Sequence, residues 1–375
     1  MNSYIKKLTI ITVLTKAVIL AVICAGYYLV PFNVPAHYAN FIYPIGEPVS
    51  LASAFKTWDA NHYLYLADAW YSPYHISNAF YPLFPFLVRV VGSLTFGNNL
   101  VAGLILSTTF TVLSVVYLFR LIGKTHGEEV AYRSCLMLLA FPTSFYLGLV
   151  YTESLFLMLA LMLLYYLREN KTTPSFICAF LLPLTRPTGI LVIVPALAAI
   201  LPCLRAKESF ELKKLLTPAG FVAGYGTYLL LMDLSTGDPF AGFDAQKVFL
   251  ANNSLLNLLH PIDWFLNNFV YLDFTLNGFS TSILNRVFFV FYAVVAVLSY
   301  KKLDKTMFAY LLVMGLVPAM TGSLTSYMRY VAMAFPLFVY LAIKLRGRMA
   351  YCYLIPCALV QVVFVLVHAS SRWIA

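Results

Sequence analysis

Residues 80–98 read FYPLFPFLVRVVGSLTFGN, and whether this stretch crosses a membrane decides where the rest of the chain lies. It is apolar, yet it is short, carries Arg89 and holds Pro82 and Pro85. Arginine in hydrocarbon is costly and proline interrupts the helical hydrogen-bond ladder. The stretch therefore predicts an interfacial or re-entrant helix beside an outer loop, not a span.

That a membrane is involved follows from composition. Of 375 residues, 61% are hydrophobic and 11% are charged, with a mean hydropathy of +0.82. A water-soluble domain of this size needs a polar coat that so few charges cannot supply. Apolar runs of the roughly 17–25 residues that cross a bilayer recur along the chain. They fall at 8–30, 99–122, 131–149, 151–168, 172–185, 187–204, 214–234, 283–300, 306–321, 329–345 and 349–368. The expected fold class is an all-α polytopic membrane protein with about eleven transmembrane helices, in one domain over 1–375. Lys6 and Lys7 precede the first run, which is too long for a signal peptide, contains Lys16 and lacks a cleavage site, so it reads as an uncleaved span. The six cysteines lack metal-ligand or redox spacing, and Cys24, Cys135 and Cys178 lie in apolar runs as small hydrophobes.

Charge orients the spans. With Lys6 and Lys7 inside, the inner loops are 120–133, 168–171, 205–214, 301–305 and 344–348, and with the N-terminus they hold 17 of the 25 Lys and Arg. This bias predicts the N-terminus in and the C-terminus out. It also accounts for the net charge of +10 without a nucleic-acid partner. Two long segments then face outward: 31–98, with juxtamembrane helices, and 235–282.

With that orientation, charges that solubility does not require converge on one face. Asp59 and His62 lie in KTWDANHYLYLADAWY (56–71), Glu153 opens a span at its outer end, and Arg186 sits in LTRPTGILV (184–192). Asp238 and Asp244 lie in TGDPFAGFDAQ (236–246), and Arg329 starts a span from outside. Asp59 has two readings. It is a helix N-cap beside an aromatic interfacial belt, or it is a general base whose proton affinity is raised near hydrocarbon, with His62 or Tyr63 positioning the acceptor. Glu153 and Arg186 are an ion pair or a functional pair, since ionisable groups at spans are costly. Arg186 stands on a break before Pro187 and Gly189, where backbone N–H groups and guanidinium together suit a phosphate. Arg329, beside Tyr330, is an interfacial anchor or a second phosphate clamp with Ser323, Thr325 and Ser326 nearby. Asp238 shapes a turn, and Gln246 and Lys247 follow on an amphipathic helix. Nucleotide-binding and HExxH motifs are absent, and no DxD spacing supports a metal, although Asp59 and Asp238 could meet in space.

The order of WDANHYLYLADAWY, AFYPLFP, FPTSFYLGLVYTESLFL (141–157), LTRPTGILV, TGDPFAGFDAQ and SYMRYVAMAFPLF (326–338) resembles the PIG-V family. That family comprises the second mannosyltransferase of GPI-anchor assembly and its prokaryotic relatives. The resemblance spans most of the chain and implies a GT-C membrane glycosyltransferase fold. The implied activity moves a hexose, most readily mannose, from a polyprenyl phosphate such as dolichyl-phosphate mannose to a lipid-linked or glycan acceptor, with inversion. The implied site lies on the extracytoplasmic or lumenal face, in the inner membrane of a prokaryote or the endoplasmic reticulum of a eukaryote. Asp59 matches the family's first-loop aspartate and becomes the candidate base. Trp58, His62, Tyr63, Glu153, Arg186, Asp238, Gln246, Arg329 and Tyr330 are candidate substrate contacts, with membrane lipids around them. No cofactor is required by this chemistry, and dependence on a divalent metal stays open. The rival is a transporter or glycolipid flippase, which predicts mid-span charges and two related halves; the charges here sit at span ends, with no evident halves.

Overall fold

The computed structural model describes residues 1–205, 212–249, 254–271 and 279–374. Among them all regular structure is helical. Parts of the expected inner loop 205–214 and outer segment 235–282 lie outside the described residues.

Asn2–Leu29, Asn99–His126 and Arg348–Ala369 are each long and apolar enough to cross a membrane, with mean hydropathies of 2.0 to 2.4 over their most apolar windows. The other expected spans coincide with helices that are shorter, broken or less apolar. Proline accounts for three of the breaks. The residue before a proline is pushed out of the helical region, and Phe141, before Pro142, is extended at φ −61°, ψ 138° and ends Glu128–Ala140. Arg186, before Pro187, is extended at φ −170°, ψ 163°. The expected span 329–345 divides into Tyr327–Met333 and Pro336–Lys344. Residues 80–98 form the helix Leu83–Leu94, whose 12 residues cover about 18 Å at 1.5 Å each, well short of a bilayer.

Glu153–Arg168 forms the centre, with most of its residues buried on every face, as expected for a helix apolar all round. Asn99–His126 packs along it and against Glu128–Ala140, while Thr172–Leu181 joins it to Leu216–Thr236. Gly224 permits that last approach, since a β-carbon there would stand 2.0 Å from the Phe180 carbonyl. The first and last long helices pair with one another and close onto Glu128–Ala140.

The broken segment 141–152 is buried throughout. Non-helical backbone at membrane depth survives only where protein groups satisfy it. Here the side chains of surrounding helices do so. Gln361 donates to the carbonyls of Leu139 and Phe141, Thr111 to Leu147, and Lys16 to Ser144. Lys16, which in the sequence argued against a signal peptide, turns its ammonium to a carbonyl exposed by this break.

Candidate functional site

Four charged side chains from distant parts of the chain meet where these breaks converge. Asp59 is the first residue of Asp59–Asp68, and Glu153 is the first residue of Glu153–Arg168. Both carboxylates therefore sit at helix N-termini, where unpaired N–H groups favour negative charge. Arg329 lies in the first turn of Tyr327–Met333, and Arg186 occupies the extended link forced by Pro187. Gly189 lets the chain after Arg186 fold back tightly, for a β-carbon there would come 2.0 Å from the Leu182 carbonyl.

The Arg329 guanidinium is the hub. Its Nη2 donates to Asp59 Oδ2 at 2.8 Å and to Glu153 Oε1 at 2.6 Å, and its Nε donates to the same Glu153 oxygen at 3.0 Å. Arg186 Nη1 lies 3.4 Å from Glu153 Oε1. Two acids and two guanidiniums leave the group formally neutral, which is how charges persist in a dry interior. Aromatic rings lie against both cations. Arg329 lies 4.9 Å from the Tyr146 ring centroid and 4.8 Å from that of Tyr151; Arg186 lies 5.2 Å from Tyr330 and 5.8 Å from Phe156. Such contacts strengthen as water is excluded.

Exposure differs along the row and is greatest at Asp59. The Glu153 side chain is 1% exposed, Arg329 8%, Arg186 10% and Asp59 22%. Asp59 is thus the most accessible of the four. Glu153 Oε2, Arg186 Nε and Trp58 Nε1 are buried without a hydrogen-bond partner. Groups of that kind are costly to leave unpaired, so the site retains bonding capacity beyond its internal pairs.

Asp59 does not act as the cap that one reading expected. Trp58 holds the N-cap position without a side-chain hydrogen bond, and the Asp59 carboxylate turns to Arg329 instead. Trp58 itself has φ +53°, ψ −120°, a strained conformation for a bulky residue that costs roughly 1–3 kcal/mol and persists only where neighbours enforce it. Tyr63 stands beside the row with its hydroxyl 3.3 Å from Thr152 Oγ1. Burial, with the Asp59 and Glu153 charges behind it, raises its pKa, so it remains a phenol.

The remaining sequence candidates fall elsewhere. His62 is stacked between Phe41 and Phe80, at 4.6 and 4.3 Å, with Nδ1 2.9 Å from Ser77 Oγ. Burial, assisted by His75, lowers its pKa to about 3. Asp238 Oδ1 accepts from the Phe240 N–H at 2.9 Å, closing a turn. Gln246 donates to the Ala79 carbonyl at 3.3 Å and ties the second outer segment to the first. Asp238 and Asp244 line a cleft of about 410 Å³ with His75 and Asn78. Arg329, expected beside Ser323, Thr325 and Ser326 as a phosphate clamp, directs its donors to carboxylates, while Ser323 and Thr325 bond each other at 2.7 Å. Among the described residues, no three His, Cys, Asp or Glu side chains gather as a metal site.

Sequence reading missed Tyr146, Tyr151, Thr57 and His368. The first two are the shelf under Arg329, and the signal for Tyr151 stood two residues before Glu153. His368, an ionisable residue inside an apolar run, met the same criterion that selected Glu153.

Comparison with known proteins is informative over part of the chain. The family model for dolichyl-phosphate-mannose-protein mannosyltransferases matches residues 78–228, a segment that includes Glu153 and Arg186. A search of curated proteins gave no match. Among solved structures, the chain is similar to the Archaeoglobus fulgidus oligosaccharyltransferase, crystallised with zinc and sulfate, at 11% identity and a TM-score of 0.43. That alignment covers 96% of this chain and 53% of the other, so this chain spans about half the length of that protein.

Proposed function

We propose that this chain is a membrane glycosyltransferase of the GT-C type. It transfers a hexose, mannose first among the candidates, from a polyprenyl-phosphate donor to a lipid-linked or glycan acceptor on the extracytoplasmic face. The observation that carries the reading is the neutral row Asp59–Arg329–Glu153–Arg186, with its acidic end open and its basic end holding an unpartnered N–H. The match to mannosyltransferases over residues 78–228 supports the same class. The motif order supports a PIG-V-like member within it.

In this reading Asp59 takes the proton of the acceptor hydroxyl as that oxygen attacks the anomeric carbon. The bond from that carbon to the phosphate oxygen breaks with inversion, and polyprenyl phosphate departs. A phosphate is already a competent leaving group, so it needs charge stabilisation more than an acid. Arg186 supplies that stabilisation, and Arg329 aims Asp59. Trp58, Tyr63 and Tyr330 border the reacting groups, while His62, Asp238 and Gln246 shape the outer segments around the acceptor. We further infer eleven crossings with the N-terminus inside. A cysteine at Lys124 should then resist an impermeant reagent added from outside, and ready labelling would reverse the orientation.

The deciding experiment uses purified protein and radiolabelled polyprenyl-phosphate mannose. Asp59→Asn should lower transfer by about 10²–10⁴ while the protein still inserts. Near-normal transfer by that variant would remove Asp59 from the chemistry.

A further inference from the structure

We propose that His368 is a positioning residue, which holds the Asp59 segment in register with the Arg329 guanidinium. The kinetic part of this inference rests on the glycosyltransferase reading; the geometric part does not.

His368 lies in the last turn of Arg348–Ala369 and is fully buried. Its Nε2 is 2.5 Å from Thr57 Oγ1, and its Nδ1 is 3.4 Å from the Tyr146 hydroxyl. Thr57 precedes Asp59 by two residues, and Tyr146 is one of the two rings against which Arg329 lies. One imidazole thus touches both the strand of chain that delivers the carboxylate and the shelf that seats its partner. A neutral imidazole has one donor and one acceptor nitrogen, and hydroxyls accept either role, so a single tautomer serves both contacts.

Why the Asp59 segment needs holding is visible at Trp58. Its positive φ is a conformation that a bulky side chain leaves unless its neighbours prevent it. Thr57 is held on both sides, by His368 at its hydroxyl and by the Tyr151 hydroxyl, which donates to its carbonyl at 2.9 Å. The Trp58 ring meets Trp373 edge-on at 4.8 Å. The same end of the last helix also ties the start of the outer loop, through Asn33 N–H to the Ser370 carbonyl and Arg372 Nη1 to the Pro31 carbonyl. A histidine that merely filled space would show no such two-sided pairing with the functional row.

The test has two arms. In the first, Asp59→Cys supplies a reporter, and its modification by an impermeant methanethiosulfonate is followed by peptide mass. His368→Leu should raise the modification rate at position 59 at least ~5-fold, because a freed segment swings from its seat. His368→Gln, which keeps a hydrogen-bonding group near Thr57, should stay near the parent rate. In the second arm, with Asp59 intact, His368→Leu should lower kcat for mannosyl transfer by about 10–10²-fold with an unchanged donor KM. Thr57→Val should give the same loss, and the double variant should add nothing further. Unchanged modification and kcat in His368→Leu would overturn the proposal, as would equal damage by Gln and Leu. If the native protein transfers no sugar while position 59 still responds to His368, the positioning role stands and the glycosyltransferase reading falls.

Discussion

Two ion pairs in this protein share a 2.6 Å separation and little else. Arg329–Glu153 is 8% and 1% exposed, whereas Lys247–Asp244 is 73% and 60% exposed. The first links segments 176 residues apart in sequence; the second joins neighbours on one helix turn. Distance alone therefore says nothing about consequence. In water the attraction is screened and offset by side-chain entropy, while in a dry interior each charge relies on the other to offset its lost hydration.

The comparison can be broken at its buried end first. Glu153→Gln leaves both guanidiniums with Asp59 as their only anion in the row, and should cost about 3–5 kcal/mol of stability. Thermal unfolding in detergent reads it, and a loss below ~1 kcal/mol would erase the distinction between the two pairs. Arg329→Lys is the next test. An ammonium is a point charge and cannot reproduce the guanidinium fork between two acids, so transfer should drop ~10²-fold through misplacement of Asp59. A kcat within twofold of the parent would mean that charge without geometry suffices.

His62 tests an intermediate case, buried but uncharged. Burial and the neighbouring His75 hold its pKa near 3, against 6.5 in the unfolded chain. Above about pH 6.5 neither state is protonated. As pH falls from there toward 3 the unfolded chain takes up a proton that the folded one refuses, so stability is lost over that window. His62→Phe should flatten the acid side of a stability-versus-pH curve, and an unaltered slope would assign it to other groups. The smallest effect belongs to the exposed pair. Asp244→Asn should shift stability by no more than about 0.5 kcal/mol. Asp238→Asn should likewise fold normally, because an amide oxygen can accept from Phe240 as the carboxylate does.

Much of the architecture was legible because its causes are local. Apolar run length marked the helices, and Pro187 marked the break at Arg186, whereas the breaks before Pro142 and Pro336 fall inside 131–149 and 329–345, each read as a single span. The segment 80–98, read as a short interrupted helix, folds as the 12-residue helix Leu83–Leu94. Asp59, Glu153, Arg186 and Arg329 stood out because charge in an apolar chain is expensive wherever it lies. His62 and Asp238 stood out for the same reason, yet their contacts are with the outer segments. Polarity in sequence does not say which way a side chain turns.

Sequence alone determined that this is a helical membrane chain, and which few charges its apolar setting would have to accommodate. Those facts depend on transfer free energy, which each residue carries with it. Only the tertiary structure decided that Arg329 would bind Asp59 and Glu153 together, and that Tyr146, Tyr151 and His368 would seat them. These contacts join residues up to 311 positions apart. Their partners are chosen by how the broken helices pack, which no local pattern encodes.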